Sequence, residues 1–290
     1  MNIQLAKTKP FPVFINQVLK GVGQIFLQEN ALTGLLFLAG LGIASTSYAL
    51  VAFLAACTGT LTAHVFKFPK DEINQGLYGF SPALVGVALL IFYHQSFVIW
   101  ISIFLGSIAA TFIQNLFIRK RVPVFTLPFV LVTWVLLYTG TLLKWPITEA
   151  IPYNIHDYDL FLFMFKGFGQ VIFQDNLWVG VIFFLAICIN SALTAIQAFL
   201  GATLAGILAS LYAIPTDLIN QGLFSFNAVL CAIVFSGKQI KDGIWPLIAI
   251  LISSIFSIVF FELKIPQLTF PFVAASMLTL IIKNKGKFSS

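Results

Sequence analysis

"LKGVGQIFLQEN" occupies Leu19–Asn30, and "FMFKGFGQVIFQDN" occupies Phe163–Asn176. Both write Lys-Gly-x-Gly-Gln and then an acid followed by Asn, and Gln24 and Gln170 lie 146 positions apart. The same spacing separates "INQGLYGFSPALVG", starting at Ile73, from "INQGLFSFNAVLCA", starting at Ile219. A third pair, "FTLPFV" at Phe125–Val130 and "LTFPFV" at Leu268–Val273, recurs at an offset of 143. Three motifs in the same order at nearly constant spacing mark a duplicated chain. Residues 1–150 form a first transmembrane repeat and 151–290 a second, joined by a polar stretch near Lys144 to Asp159.

The repeats are written in an apolar alphabet. Of 290 residues, 59% are hydrophobic and 9% charged, against roughly 25% charged in a soluble domain. Mean hydropathy is +0.99. The chain therefore reads as an integral membrane protein. Its apolar runs are long and do not alternate, so the fold class is all-α and not a membrane barrel. Met1 to Pro10 carries Lys7 and Lys9 without the apolar core of a cleavable leader. Cys57, Cys188 and Cys231 are widely spaced within apolar runs, which suits neither a disulfide frame nor a zinc site.

Each half opens with a short Gly- and Gln-punctuated segment, 12–28 and 160–175, that reads as re-entrant. Apolar segments follow near 31–50, 51–66, 82–94, 97–118 and 123–143, then near 177–193, 194–213, 226–237, 243–261 and 267–283. Five spans per half is an odd number, so the halves are inverted and the spans total ten. With both termini cytoplasmic, Lys67, Lys70, the Arg119-Lys120-Arg121 run, Lys238, Lys241, Lys283, Lys285 and Lys287 all fall inside. Glu149, Asp157, Asp159 and Asp217 fall outside, as the positive-inside rule requires; only Lys144, Lys166 and Lys264 oppose it. Short, interrupted segments at matching places in two halves point to a binding site near the midplane.

The ionisable residues exclude several chemistries. His64, His94 and His156 are scattered, with no H-E-x-x-H and no partner one helical turn away, so neither a metal site nor an enzyme is indicated. No phosphate-binding loop is present, no cofactor is expected, and the net charge of +6 reflects cationic helix ends, not nucleic-acid binding. The spans are nearly bare of charge, which argues against ion coupling. Glu29 and Asp175 recur at the ends of the short segments and read as structural acids at a re-entrant tip.

The candidate lining is neutral. Gln24 and Gln170, flanked by glycines, either glue helices or offer a carbonyl acceptor to a small polar solute. Phe80 with Leu84 and Phe226 with Leu230 are i, i+4 pairs on short helices, two apolar walls for a flat solute. Thr126 and Thr269 each stand two residues before a proline, whose ring is expected to free carbonyls one turn earlier as acceptors.

These paired G-x-G-Q, NQGL…F…L and T-x-P-F segments resemble the urea transporter family over nearly the whole chain. The resemblance implies two inverted halves of five spans plus one re-entrant helix, a homotrimer with a pore in each subunit, and passive conduction of urea. It matches Gln24 and Gln170 to the two outer urea sites, Phe80/Leu84 and Phe226/Leu230 to the two slots, and Thr126 and Thr269 to the central constriction. A second slot aromatic, three residues after the Gln, is matched by Phe173, whereas the first half has Leu27 there. The Asn-Gly that follows the slot aromatic is replaced by Ser81-Pro82 and Asn227-Ala228. The expected setting is a bacterial inner membrane, with the lipid bilayer and urea as partners. A channel for another small neutral solute (ammonia or a short amide) and an ion-coupled secondary transporter are the alternatives.

Overall fold

In the computed structural model, residues 10–123, 125–149, 159–239 and 243–287 are described. Most of the expected polar linker, with His156 and Asp157, lies outside them, as do Lys7, Lys9 and Lys241.

The described chain is helical throughout. The order is α1 (Pro10–Gly23) running into a 3-10 turn (Gln24–Phe26), α2 (Ala31–Ala44), α3 (Thr46–Val65), α4 (Lys70–Asn74), α5 (Phe80–Phe92), α6 (Phe97–Arg119) and α7 (Leu127–Leu142). It continues with α8 (Asp159–Gln170), α9 (Leu177–Leu211), α10 (Thr216–Asn220), α11 (Phe226–Val234), α12 (Ile244–Glu262) and α13 (Phe270–Lys287). Four of these, α3, α6, α9 and α12, are long and apolar enough to cross a membrane; α1 with α2, bent by 74°, makes a fifth candidate. α5, α7 and α13 are apolar but shorter. Outward faces carry exposed Leu, Ile and Phe, such as Phe104, Leu105, Leu200 and Ile255. Such a surface suits lipid and not water. This is a multi-pass, all-α membrane protein.

Local geometry recurs along the chain. The Asn30 side chain caps α2 by accepting from the N–H groups of Leu32 and Thr33, and the Asn176 side chain caps α9 from Trp178 and Val179. Each cap satisfies donors that a helix start otherwise leaves unpaired. Left-handed φ values pair up in the same way: Leu27 with Phe173 (57° and 60°), Lys67 with Ala213 (53° and 59°), and Phe125 with Leu268 (49° and 46°). Non-glycine residues rarely hold this conformation, so its recurrence at matched positions is informative about the backbone path.

Most segment boundaries fall within a few residues of the sequence expectation, but the break expected between 31–50 and 51–66 lies earlier, at Ser45. The expected break between 177–193 and 194–213 is a kink inside α9, where Ser191 leaves helical geometry (φ −160°, ψ 105°). Ser45, 146 positions earlier, has φ −163° and ψ 131° and separates α2 from α3.

The repeated Gly-x-Gly is explained by backbone approach. The NQGL turns cross the short helices at glycine. A Cβ on Gly21 would lie 2.9 Å from the Cα of Gly79, and one on Gly76 would meet the backbone of Gly21; Gly222 meets Gly167 likewise. Gly76 and Gly222 also hold φ of 79° and 80°, open to glycine at little cost. Gly23 admits the returning chain, since a Cβ there would lie 2.8 Å from the carbonyl oxygen of Asn30. Lys20 Nζ and Glu29 Oε1 close the same bend at 2.8 Å, so Glu29 has an ion-pair partner.

The N- and C-terminal parts of the chain are joined by hydrogen bonds. Asn190 Nδ2 donates to Gln28 Oε1 (2.7 Å), Thr33 Oγ1 to the carbonyl of Ala186 (3.2 Å) and Trp134 Nε1 to that of Pro266 (2.9 Å). Phe26, Phe37 and Phe183 interlock beside them, with ring centroids 4.8–5.7 Å apart.

Candidate functional site

The short α1 ends where Gln24 begins the 3-10 turn, which sets its side chain against the NQGL turn. Gln24 Nε2 donates to the carbonyl of Gln75 at 2.9 Å. A carbonyl only accepts, so it is Nε2 that faces Gln75 with one of its two N–H groups, and Oε1 is turned away with an acceptor to spare. Gln170 Nε2 makes the equivalent bond to the carbonyl of Gln221 at 3.0 Å. Each glutamine thus ties two segments together through its nitrogen, and no hydrogen bond joins its oxygen to a described residue.

Gln24 opens into a cavity of about 190 Å³ whose walls include Leu27, Phe80, Gln114, Phe125 and Thr126. The lining contains no ionisable side chain. Leu27 holds φ 57° and its N–H bonds the carbonyl of Gln24, so the left-handed turn aims this side chain inward. Phe80 begins α5 and is 6% exposed.

Phe272, a residue of α13, is a further wall of this cavity, its ring centroid 5.1 Å from that of Phe125. Beside it, the hydroxyls of Thr126 and Thr269 meet at 2.6 Å, both residues being buried. This contact brings the two T-x-P-F copies together. Pro128 and Pro271 do not act as expected from sequence, however. They stand in the first turns of α7 and α13, where a missing N–H disturbs no intrahelical bond. The backbone oxygens of Thr126 and Thr269 accept from Val130 and Val273, both at 3.1 Å. One turn before Pro271, the carbonyl of Gln267 accepts from the Phe270 N–H at 3.0 Å, and Val124, one turn before Pro128, lies outside the described residues; the Thr hydroxyls are polar groups at this point.

Other candidates lie apart from this cavity. Leu84 is fully buried within α5 and is not one of its walls, nor are Gln170, Phe173, Phe226, Leu230 and Thr269. Phe173 packs edge-on to Phe92 (6.3 Å) and Phe129 (6.1 Å). Phe226 is 6% exposed at the start of α11 and Leu230 is buried one turn on.

Sequence reasoning passed over two features near the cavity. Gln114 is one. The other is Tyr78, whose hydroxyl donates to Asn115 Oδ1 (3.1 Å) and lies 3.5 Å from Glu72 Oε2. Burial, then the Glu72 carboxylate, pushes the Tyr78 hydroxyl well above its ordinary range. The corresponding residue of the second NQGL motif is Phe224, so this polar network has no matching tyrosine.

A multi-pass helical bundle with a narrow, uncharged, aromatic-walled cavity defines a membrane transport protein. The model of the urea transporter family matches residues 15–284, and the chain belongs to that family. It is 31% identical to urea transporter 1 of Rattus norvegicus over 251 residues, 80% of this chain and 65% of the relative's length. It is 29% identical to urea transporter 1 of Ovis aries over 308 residues, covering 97% of this chain and 80% of that one. Membership puts the chain among transporters and not enzymes.

Proposed function

We propose that the protein conducts urea passively through a pore between two inverted repeats, each of five spans and one re-entrant helix. Ten spans cross a bacterial inner membrane, both termini are cytoplasmic, and three copies assemble as a homotrimer. Gln24 with Phe80 and Leu84 forms the site at one mouth, and Gln170 with Phe173, Phe226 and Leu230 the site at the other. Thr126 and Thr269 form the constriction between them.

The observation that carries this reading is the pair of glutamines, each with an N–H tied to a turn carbonyl and its oxygen left spare, one of them lining an aromatic-walled cavity together with Thr126, whose hydroxyl meets that of Thr269. Urea is planar and neutral, with four N–H donors. Removing its water is costly unless other acceptors replace it. Amide and hydroxyl oxygens at intervals do so, much as carbonyls replace hydration in ion filters. A lining without charge gives an ion no compensation for its hydration. Several modest sites in series let the solute leave as well as enter.

Stopped-flow urea entry into proteoliposomes, with no ion gradient, tests the proposal against empty liposomes. Fast, non-concentrative entry that Gln24→Ala slows supports it. Entry equal to the empty control rejects urea conduction and directs attention to another small neutral solute or to ion coupling.

A further inference from the structure

Gln114 sits in the C-terminal third of α6, 6% exposed, on the wall of the cavity that Gln24 and Phe80 also line. Its Oε1 is buried without a partner, and no hydrogen bond joins its side chain to any described residue. An amide hidden from water and left unpaired is costly. Most buried polar groups on α6 avoid this: Ser102, Ser107 and Thr111 each donate to a carbonyl one turn back. Gln114 reaches past the backbone toward the cavity instead.

We infer that Gln114 is a further solute-contacting residue, its amide N–H donating to the carbonyl oxygen of urea while Gln24 Oε1 accepts a urea N–H. The inference rests on the proposed urea conduction and deepens it. Gln24 spends one of its two amide N–H groups on the carbonyl of Gln75, so it keeps a single donor for the solute. A second amide on the same cavity wall, with no hydrogen bond to a described residue, adds donors for the carbonyl end. Between them the two amides distinguish a molecule with donors at one end and an acceptor at the other from a molecule with donors alone. The device belongs to one mouth: 143 positions later, where α12 corresponds to α6, the residue is Ser257. It is buried with an unpartnered hydroxyl and a much shorter reach.

The test compares urea with thiourea, whose sulfur is a weak acceptor, in proteoliposomes of wild type and Gln114→Met. Methionine keeps the length and removes the hydrogen bonds. The expected result is a urea flux lower by about tenfold, as loss of one such bond implies, with a smaller loss for thiourea, so that the urea-to-thiourea ratio falls. A purely structural Gln114 lowers both fluxes alike and leaves the ratio unchanged, which overturns the inference. If Gln114→Met does not assemble, Gln114→Asn, one methylene shorter, carries the same test: its ratio falls in part or the inference is rejected. Wild-type urea flux no faster than empty liposomes rejects the urea reading itself, and this inference with it. Wild-type conduction with an unmoved ratio rejects this inference alone.

Discussion

The hydroxyl oxygens of Thr126 and Thr269 lie 2.6 Å apart, joining residues 143 positions distant in sequence at the cavity wall that Thr126 lines. Each belongs to the residue before a helix start and neither is spent on capping α7. A solute passing this point must open the hydrogen bond and can take both hydroxyls as partners in exchange. The double substitution Thr126→Val with Thr269→Val removes both polar groups at nearly constant shape, which folding tolerates because no partner is left unpaired. The expected outcome is monodisperse protein with urea flux reduced by about tenfold or more in stopped-flow assays. Undiminished flux would mean that the solute does not pass between these hydroxyls.

Gln24→Ala deletes both the tie to Gln75 and the spare acceptor. Gln24→Met deletes the same hydrogen bonds but keeps the volume. Both are expected to slow urea entry by a similar factor, about three- to tenfold, with little change in thermal stability for the methionine variant. If only the alanine variant is slow, packing and not hydrogen bonding is what Gln24 contributes.

The lining of the cavity is free of ionisable groups, so urea flux in the wild type is expected to stay level between about pH 6 and about pH 8. Gln170→Glu breaks that independence in a stated direction. A protonated carboxyl can still donate to the carbonyl of Gln221, whereas the carboxylate cannot and repels it. Burial raises the carboxyl pKa above its usual value near 4.3, so the neutral form gains as pH falls. Flux through the variant should rise toward acid pH while the wild type does not follow; a flat profile for both would dissociate this hydrogen bond from conduction.

Gly76 combines a φ of 79° with backbone contact to Gly21. Gly76→Ala is expected to destabilise the protein by at least about 1 kcal/mol from the dihedral alone, with more from the clash. Gly42→Ala is the control, since a Cβ there has its nearest neighbour at 3.8 Å and alanine favours the helix. Thermal unfolding in detergent should separate the two; equal melting temperatures would show that the NQGL turn relaxes away from α1.

Much of this arrangement was legible before the coordinates. Apolar runs fixed the helices because lipid demands that backbone groups pair within each segment. The paired motifs pointed to Gln24, Phe80 and Thr126, which share the walls of one cavity. The role of the prolines was misread because a proline two residues into an apolar run looks the same whether it kinks a helix or starts one; the left-handed turn at Phe125 puts the start at Leu127. Gln114 was passed over because duplication drew attention to residues present in both copies, and Ser257 does not resemble it. Tyr78 was lost the same way, its counterpart being Phe224. A polar residue written once within an apolar run was the available signal.

The bend after each short helix holds Leu27 at φ 57° and Phe173 at φ 60°, the same backbone under two different side chains. Its shape is secured by glycine contacts, an asparagine cap and main-chain hydrogen bonds, none of which involves the side chain at the tip. Evolution therefore has a position where the width of a solute path can be retuned by one codon while the architecture that carries it stays unchanged. Two such positions in one chain can drift independently, so in the proposed pore the two mouths need not discriminate alike.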